Sequence, residues 1–166
     1  AQISIGGHTG ACARRTDGSV SCWRGVAGLE EPPRPVAELT GVEELDLDGS
    51  GWGYGATPAC LRVAGKVRCG IFAAERIASG QPFGDLAEVA LDSPARALSL
   101  RGIRSCALLE DDTVACWWLA TPRENLGVTP LFPQRLAATD VAEVVVGLGT
   151  EICLRKRDGS VWCRKD

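Results

Sequence analysis

The sequence predicts an all-β chain, a β-propeller of four repeated units with the last one incomplete. Three observations carry that prediction. A cysteine hairpin occurs four times, a short apolar strand precedes each copy, and glycine and proline punctuate the chain throughout. The clearest hairpin is Cys153-Leu-Arg-Lys-Arg-Asp-Gly-Ser-Val-Trp-Cys163, and the pattern returns from Cys12 to Cys22, Cys60 to Cys69 and Cys106 to Cys116, using all eight cysteines. The first cysteines of successive pairs lie 48, 46 and 47 residues apart. A fixed period of about 20–50 residues is the mark of a repeat architecture. The 20 glycines and 9 prolines fall between short apolar runs, which suits short strands and turns better than long helices.

The hairpin loops set the cysteine register. In the fourth copy Arg157-Asp158-Gly159 fits a three-residue loop with Gly159 left-handed. That loop places Lys156 opposite Ser160, Arg155 opposite Val161, Leu154 opposite Trp162 and Cys153 opposite Cys163. The first copy gives the same register around Thr16-Asp17-Gly18, and the third around Glu110-Asp111-Asp112, with Asp112 in the glycine position. In the second copy the cysteines are one residue closer and the loop, Ala64-Gly65, is one residue shorter, so Cys60 still faces Cys69. Directly opposed residues on antiparallel strands come close enough for a disulfide. Four intrahairpin disulfides follow: Cys12–Cys22, Cys60–Cys69, Cys106–Cys116 and Cys153–Cys163. Free core thiols and a metal site are the competing readings. The cysteine intervals exceed the usual zinc-ligand spacing, and His8 is the only histidine, so no metal and no cofactor are expected.

A single propeller domain spanning 1–166 is expected, with repeats over 1–40, 41–94, 95–140 and 141–166. Each begins with an inner strand. These are Gln2-Ile3-Ser4-Ile5, Val42 to Asp48, Ala95 to Leu100 and Val141 to Val146. The second alternates cleanly, with Leu45 and Leu47 on one face and Glu44, Asp46 and Asp48 on the other. Proline in the connections, from Pro32 to Pro35 and at Pro130 and Pro133, confines the outer segments to sheet edges. A helical turn is expected over residues 73–78. The second unit alone carries the insertion Gly49-Ser-Gly-Trp-Gly-Tyr-Gly55. The fourth unit stops three residues after Cys163, without an outer segment.

Charge and composition exclude several functions. A net charge of −3 and the absence of any basic tract argue against nucleic acid. The cluster from Arg155 to Arg157 reads as a solvated hairpin tip. No apolar run reaches the roughly 18–20 residues that span a bilayer. Disulfides imply an oxidising compartment, extracellular or periplasmic. With no methionine anywhere, the chain reads as a mature one whose secretion signal has been removed.

The repeat resembles that of the regulator-of-chromosome-condensation family. The carrying residues are Val141-Ala-Glu-Val-Val-Val-Gly-Leu-Gly followed by Cys-Leu-Arg-Lys-Arg-Asp-Gly-Ser-Val-Trp-Cys, similar to a glycine-ended apolar strand and then "CAL…DGTVWCWG". The cysteine-paired form resembles secreted bacterial members. The resemblance covers essentially the whole chain, is specific at the hairpins and is weak in the connections. It implies four propeller blades and protein binding on the propeller faces, and it supplies no catalytic residues. Family propellers commonly have seven blades. Four units leave three arrangements: closure on themselves, a two-chain ring, or an open arc docked on a larger partner. Closure alone is the expectation, with a homodimer and a subunit of a larger complex as alternatives.

The candidate binding residues are Trp52 and Tyr54, on the glycine loop, and Trp118, which faces away from Trp117. Trp23, Trp117 and Trp162 lie beside the second hairpin cysteines and are expected to pack between blades. His8 lacks a nucleophile and an orienting partner, so no enzyme activity is expected. Asp46-Leu-Asp-Gly-Ser-Gly51 faintly resembles a calcium loop but lacks the twelfth-position glutamate. The function expected is a secreted or periplasmic protein-interaction module that binds a partner protein through propeller-face loops, as an accessory subunit of a larger assembly. A carbohydrate-binding propeller and an inhibitor of an extracellular enzyme are the alternatives.

Overall fold

The computed structural model describes residues 1–6, 10–24, 32–48, 56–120, 129–130, 132–147 and 151–165. The first unit contains β1 (Gln2–Gly6), β2 (Gly10–Arg14), β3 (Val20–Arg24) and β4 (Arg34–Pro35). The second contains β5 (Val42–Leu47), β6 (Ala56–Val63), β7 (Lys66–Ala73) and β8 (Ala87–Glu88), with a 3₁₀ turn over Ala74–Ser79. The third contains β9 (Ala95–Arg101), β10 (Arg104–Leu109), β11 (Val114–Ala120), β12 (Thr129–Pro130) and β13 (Gln134–Arg135). The fourth contains β14 (Val141–Val146), β15 (Glu151–Lys156) and β16 (Val161–Lys165). Each unit is one antiparallel sheet whose strands are neighbours in chain order, except that β12 and β13 both pair with β11. Among the described residues no helix is long and apolar enough to cross a membrane.

The hairpin tips set the register that the loops predicted. Gly18, Asp112 and Gly159 hold φ of 80°, 61° and 86°, and in the shorter second loop Ala64 and Gly65 hold 49° and 75°. The Gly18, Asp112 and Gly159 amides close their turns onto Arg15, Leu109 and Lys156 carbonyls at 3.0–3.1 Å. An aspartate stabilises each three-residue tip: Asp17, Asp111 and Asp158 accept the N–H and hydroxyl of Ser19, Thr113 and Ser160 at 2.6–3.2 Å. Cysteine then meets cysteine in all four pairs, with Cα atoms 4.1 Å apart, and all eight are bonded.

Successive units join through a repeated junction. The left-handed residue at each tip gives its carbonyl to the next inner strand: Val42 N–H donates to Gly18 at 3.0 Å, Ala95 to Gly65 at 2.8 Å and Val141 to Asp112 at 3.0 Å. Nearer the middle, a side chain on one inner strand accepts an N–H from the next. Leu47 donates to Ser4 Oγ at 2.8 Å, Leu100 to Asp46 Oδ2 at 2.8 Å and Val146 to Ser99 Oγ at 2.9 Å. One pair earlier, Leu45 donates to Gln2 Oε1 at 3.1 Å and Leu98 to Glu44 Oε2 at 3.0 Å. Apolar residues fill the remainder. Three cores result, each between neighbouring units, containing a hairpin valine (Val20, Val67 or Val114) and its disulfide against the next inner strand.

Closure of the four units on themselves is not what the structure shows. Among the described residues no core joins the fourth unit to the first. The faces that closure would bury stay exposed: Ile3 and Ile5 on the first unit, Val161 on the fourth. Among the described residues the four units therefore form an open arc. The outer strands β4 and β13 are only two residues long, Arg34–Pro35 and Gln134–Arg135. Proline supplies no amide to lengthen them.

Two predictions follow from the tips and the junctions. Gly18→Ala and Gly159→Ala share a left-handed strain of about 1–2 kcal/mol. A Cβ at Gly18 would also lie 2.8 Å from Gly41 Cα, while one at Gly159 meets nothing within 4 Å. Chemical denaturation should therefore show the larger loss for Gly18→Ala. Asp46 gives the second prediction. Burial pushes its carboxyl up to about 6, against the Leu100 amide, which favours the ionised form. The folded state then holds a proton that the unfolded chain releases, so this group lowers stability as pH rises from about 4 to about 6. Asp46→Asn retains an acceptor and should raise stability by about 1–3 kcal/mol near pH 7 and little near pH 4. Equal effects at the two pH values would contradict the assignment.

Candidate functional site

The residue after the second hairpin cysteine decides how tightly a junction fills at its outer side. In the third unit it is Trp117, fully buried in the core between the second and third units. In the second it is Gly70, where the Leu86 side chain approaches to 2.8 Å of an ideal Cβ. In the fourth it is Arg164, which leaves the junction between the third and fourth units open on its outer side. Two cavities result. One, of 310 Å³, lies between Leu136 and Ala138 of the third unit and Ile152, Leu154 and Trp162 of the fourth. The other, of 340 Å³, is lined by Arg104, Trp118, Phe132 and Gln134. Leu136 and Arg164 line both, so the two form one continuous surface.

Exposed aromatic rings surround these cavities. Phe132 is 92% exposed, Trp162 64% and Trp118 38%. Trp118 sits directly across the β10–β11 pair from Arg104, whose guanidinium carbon lies 4.8 Å from the ring centroid. Lys156 Nζ lies 5.9 Å from the Trp162 ring. Both contacts hold a cation against an aromatic face. The charged side chains that line the cavities, Arg104, Arg164 and Lys156, are all cationic. The patch thus combines exposed tryptophan and phenylalanine with arginine, the composition of energetic centres in protein interfaces.

The hairpin-tip rim is chemically different. Its charges are paired, some within one unit and two across neighbouring units, Arg157 with Asp112 and Arg135 with Asp92. Asp112 receives Arg96 at 2.7 Å and Arg157 at 2.8 Å, and Arg155 pairs with Glu143 at 2.9 Å. Arg135 bridges Asp92 and Asp111, each at 2.7 Å. The Thr113 hydroxyl and then Arg135 hold the Asp111 carboxyl down at about 2, so the network stays charged at all physiological pH. The cluster from Arg155 to Arg157 is accordingly a paired, solvated tip.

The structure places the expected site residues unevenly. Trp118 lies in the patch. Trp52, Tyr54 and His8 lie outside the described residues. Trp117 packs between blades as expected, and Trp23 is partly buried. Trp162 does not pack: it precedes Cys163 rather than following it, so it occupies the position of Ala115 and points into the open cavity. Nothing in the sequence marks Phe132, whose neighbours Pro130 and Pro133 signal only a broken strand. Asp46, singled out for a calcium loop, instead takes the Leu100 amide, and the glycines beyond it lie outside the described residues. Among the described residues no group of three or more His, Cys, Asp or Glu is placed to hold a metal ion.

No family model matches the chain, and no curated protein matches it. Solved structures do. Yeast RCC1 (Prp20), in its complex with Kap60, superposes with a TM-score of 0.66 at 14% identity, over 98% of this chain and 42% of that one. Prp20p from Saccharomyces cerevisiae, in a structure described with its binding to Gsp1p and histones, gives 0.65 at 14% identity, over 98% and 44%. Human WBSCR16 gives 0.66 at 13% identity, over 99% and 46%. A computationally designed protein, Ika4, gives 0.58 at 14% identity, over 98% of this chain and 88% of that one. The fold is therefore the RCC1-like propeller repeat, and the chain spans less than half the length of the natural chains in these three structures, yeast Prp20 twice and human WBSCR16.

The patch and the core should separate under mutation. Trp117→Ala empties a buried site and should cost about 3–5 kcal/mol. Phe132→Ser, on a side chain almost wholly in solvent, should stay within about 0.5 kcal/mol. Urea unfolding of the two variants measures both. A large loss from Phe132→Ser would show that the ring is structural.

Proposed function

We propose that the chain is a protein-interaction module of an oxidising compartment, extracellular or periplasmic, and that the patch around Trp118, Phe132 and Trp162 binds its partner protein. The observation that supports this most is the gathering of three exposed aromatic rings with Arg104 and Arg164 over one pair of cavities. Exposed aromatic patches on folded proteins mark contact surfaces. Rings held by cations lose little freedom on binding, and truncating such anchors commonly costs about 2 kcal/mol or more of affinity. The partner surface that fits is apolar with carboxylates around it, to meet Arg164 and Lys156, while the buried Arg104 holds the Trp118 ring in place.

The fold neighbours support a binding role in general terms. Yeast RCC1 is described in complex with Kap60, and Prp20p by its binding to Gsp1p and histones. Their partners are not carried over to this chain, which is acidic and held by four disulfides. In this reading residues 1–166 act as one propeller domain, with Trp52 and Tyr54 as further contacts. An enzyme serving as partner would make the chain an inhibitor. A sugar ligand fits less well, because Arg104 already covers one face of Trp118.

The test is retention of protein from the native medium of the source by immobilised chain, followed by mass spectrometry. The double variant Phe132→Ser with Trp162→Ala should lose a specific partner by about thirtyfold or more, with thermal unfolding unchanged. Equal retention by the native chain and the double variant would refute the assignment.

A further inference from the structure

The two ends of the arc are the two halves of the junction that the chain builds internally three times. On the inner strands, Ile3 aligns with Leu45, Leu98 and Val144, and Ile5 with Leu47, Leu100 and Val146, as their pairing with the hairpin strands shows. The six internal residues are at most 9% exposed, whereas Ile3 and Ile5 are 67% and 48% exposed. At the other end, Val161 aligns with Val20, Val67 and Val114. Those three are at most 1% exposed, and Val161 is 64% exposed.

The polar half of the junction is also present on the fourth unit. In the second unit Arg62 steadies Glu44 at 3.3 Å, and Glu44 Oε2 accepts the Leu98 N–H of the next unit at 3.0 Å. In the fourth unit Arg155 steadies Glu143 at 2.9 Å in the same register positions. The residue aligned with Leu98 at the free end of the arc is Ile3. One element departs: Val145 stands where Ser4, Asp46 and Ser99 accept an amide, so a junction made here has one such hydrogen bond fewer than the first two internal junctions and as many as the third.

We propose that a second copy of this chain docks head to tail on the arc, its β1 packing on the Val161 face of the fourth unit with the Ile3 amide donating to Glu143. Each chain carries both halves, so two chains form two identical junctions and close a ring of eight units. A second copy is favoured because the face complementary to Val161 and Glu143 is present, exposed and in register on the same chain. Head-to-tail contacts of this kind close into rings when the rotation permits. The proposal goes beyond the partner reading and does not depend on it. Val161 and Trp162 are adjacent on β16, so their side chains point to opposite faces.

Native mass spectrometry of the oxidised chain tests this. The expected mass is twice 17.5 kDa, dissociating on dilution. Ile5→Asp and Val161→Asp should each give only the single-chain mass. Both positions are exposed in the isolated arc, so unfolding curves of the separate chains should be unchanged. An equimolar mixture of the two variants should recover paired chains, because one of the two junctions is then intact. Val161→Thr, which keeps the strand, should weaken pairing about tenfold. A native chain that stays single, a pairing lost in Val161→Asp but kept in Ile5→Asp, or a ladder of higher multiples would each overturn the closed head-to-tail ring. A single-chain result would leave partner retention through Trp162 and Phe132 as a separate outcome.

Discussion

At the tips of the first three hairpins a residue with positive φ does three things. It closes the loop, fixes which residues of the two strands face each other, and turns its own carbonyl toward the next unit. Gly18, Gly65 and Asp112 each accept the first inner-strand amide of the following unit at 2.8–3.0 Å. A shift of one residue at the tip would move the cysteines out of opposition and rotate every side chain of the strand to the other face. The disulfides, the valine at the centre of each core and the placement of the next sheet all depend on that one backbone conformation. Asp112 shows that glycine is not required. Its side chain offsets part of the strain by receiving both Arg96 and Arg157.

The junctions themselves are a compromise between apolar packing and amide satisfaction. Inner-strand N–H groups that would otherwise be buried without partners are met by Ser4, Asp46 and Ser99 and by Gln2 and Glu44. Serine does this without charge. Asp46 does it with a carboxyl that burial keeps partly protonated, which ties the second junction to pH. The junction between the third and fourth units has Ala97 in place of Glu44 and Arg164 in place of a buried tryptophan. It has one inner-strand amide tie fewer, is tied instead at the tip by Arg157 on Asp112 and Arg96 on the Val141 carbonyl, and is open on its outer side, where the aromatic patch lies.

Local signals were legible in the sequence and long-range ones were not. The loop lengths alone placed Cys60 opposite Cys69 despite the altered spacing, because hairpin register is a property of a dozen contiguous residues. The inner strands and the turn near Ala74 were legible for the same reason. Whether the arc closes is set by the rotation between neighbouring sheets, a sum of many small packing differences that no single residue announces. The environment of Trp162 depends on one register position. Before the cysteine, tryptophan faces an open cavity; after it, as in Trp117, it fills a core. Phe132 carried no pattern at all. Its significance comes from Trp118 and Leu136, which reach it only through the fold.

The disulfides join each cysteine to the next one along the chain, at separations of 9 or 10 residues. Eight thiols can pair in 105 ways, yet nearest-neighbour pairing in chain order is the native arrangement. Each bond closes a ring within a single hairpin, so it can form without any other pair in place. Oxidation of the chain is a set of short, independent ring closures rather than a search. None of the four bonds joins one sheet to another, so the assembly of sheets into an arc is left wholly to reversible contacts.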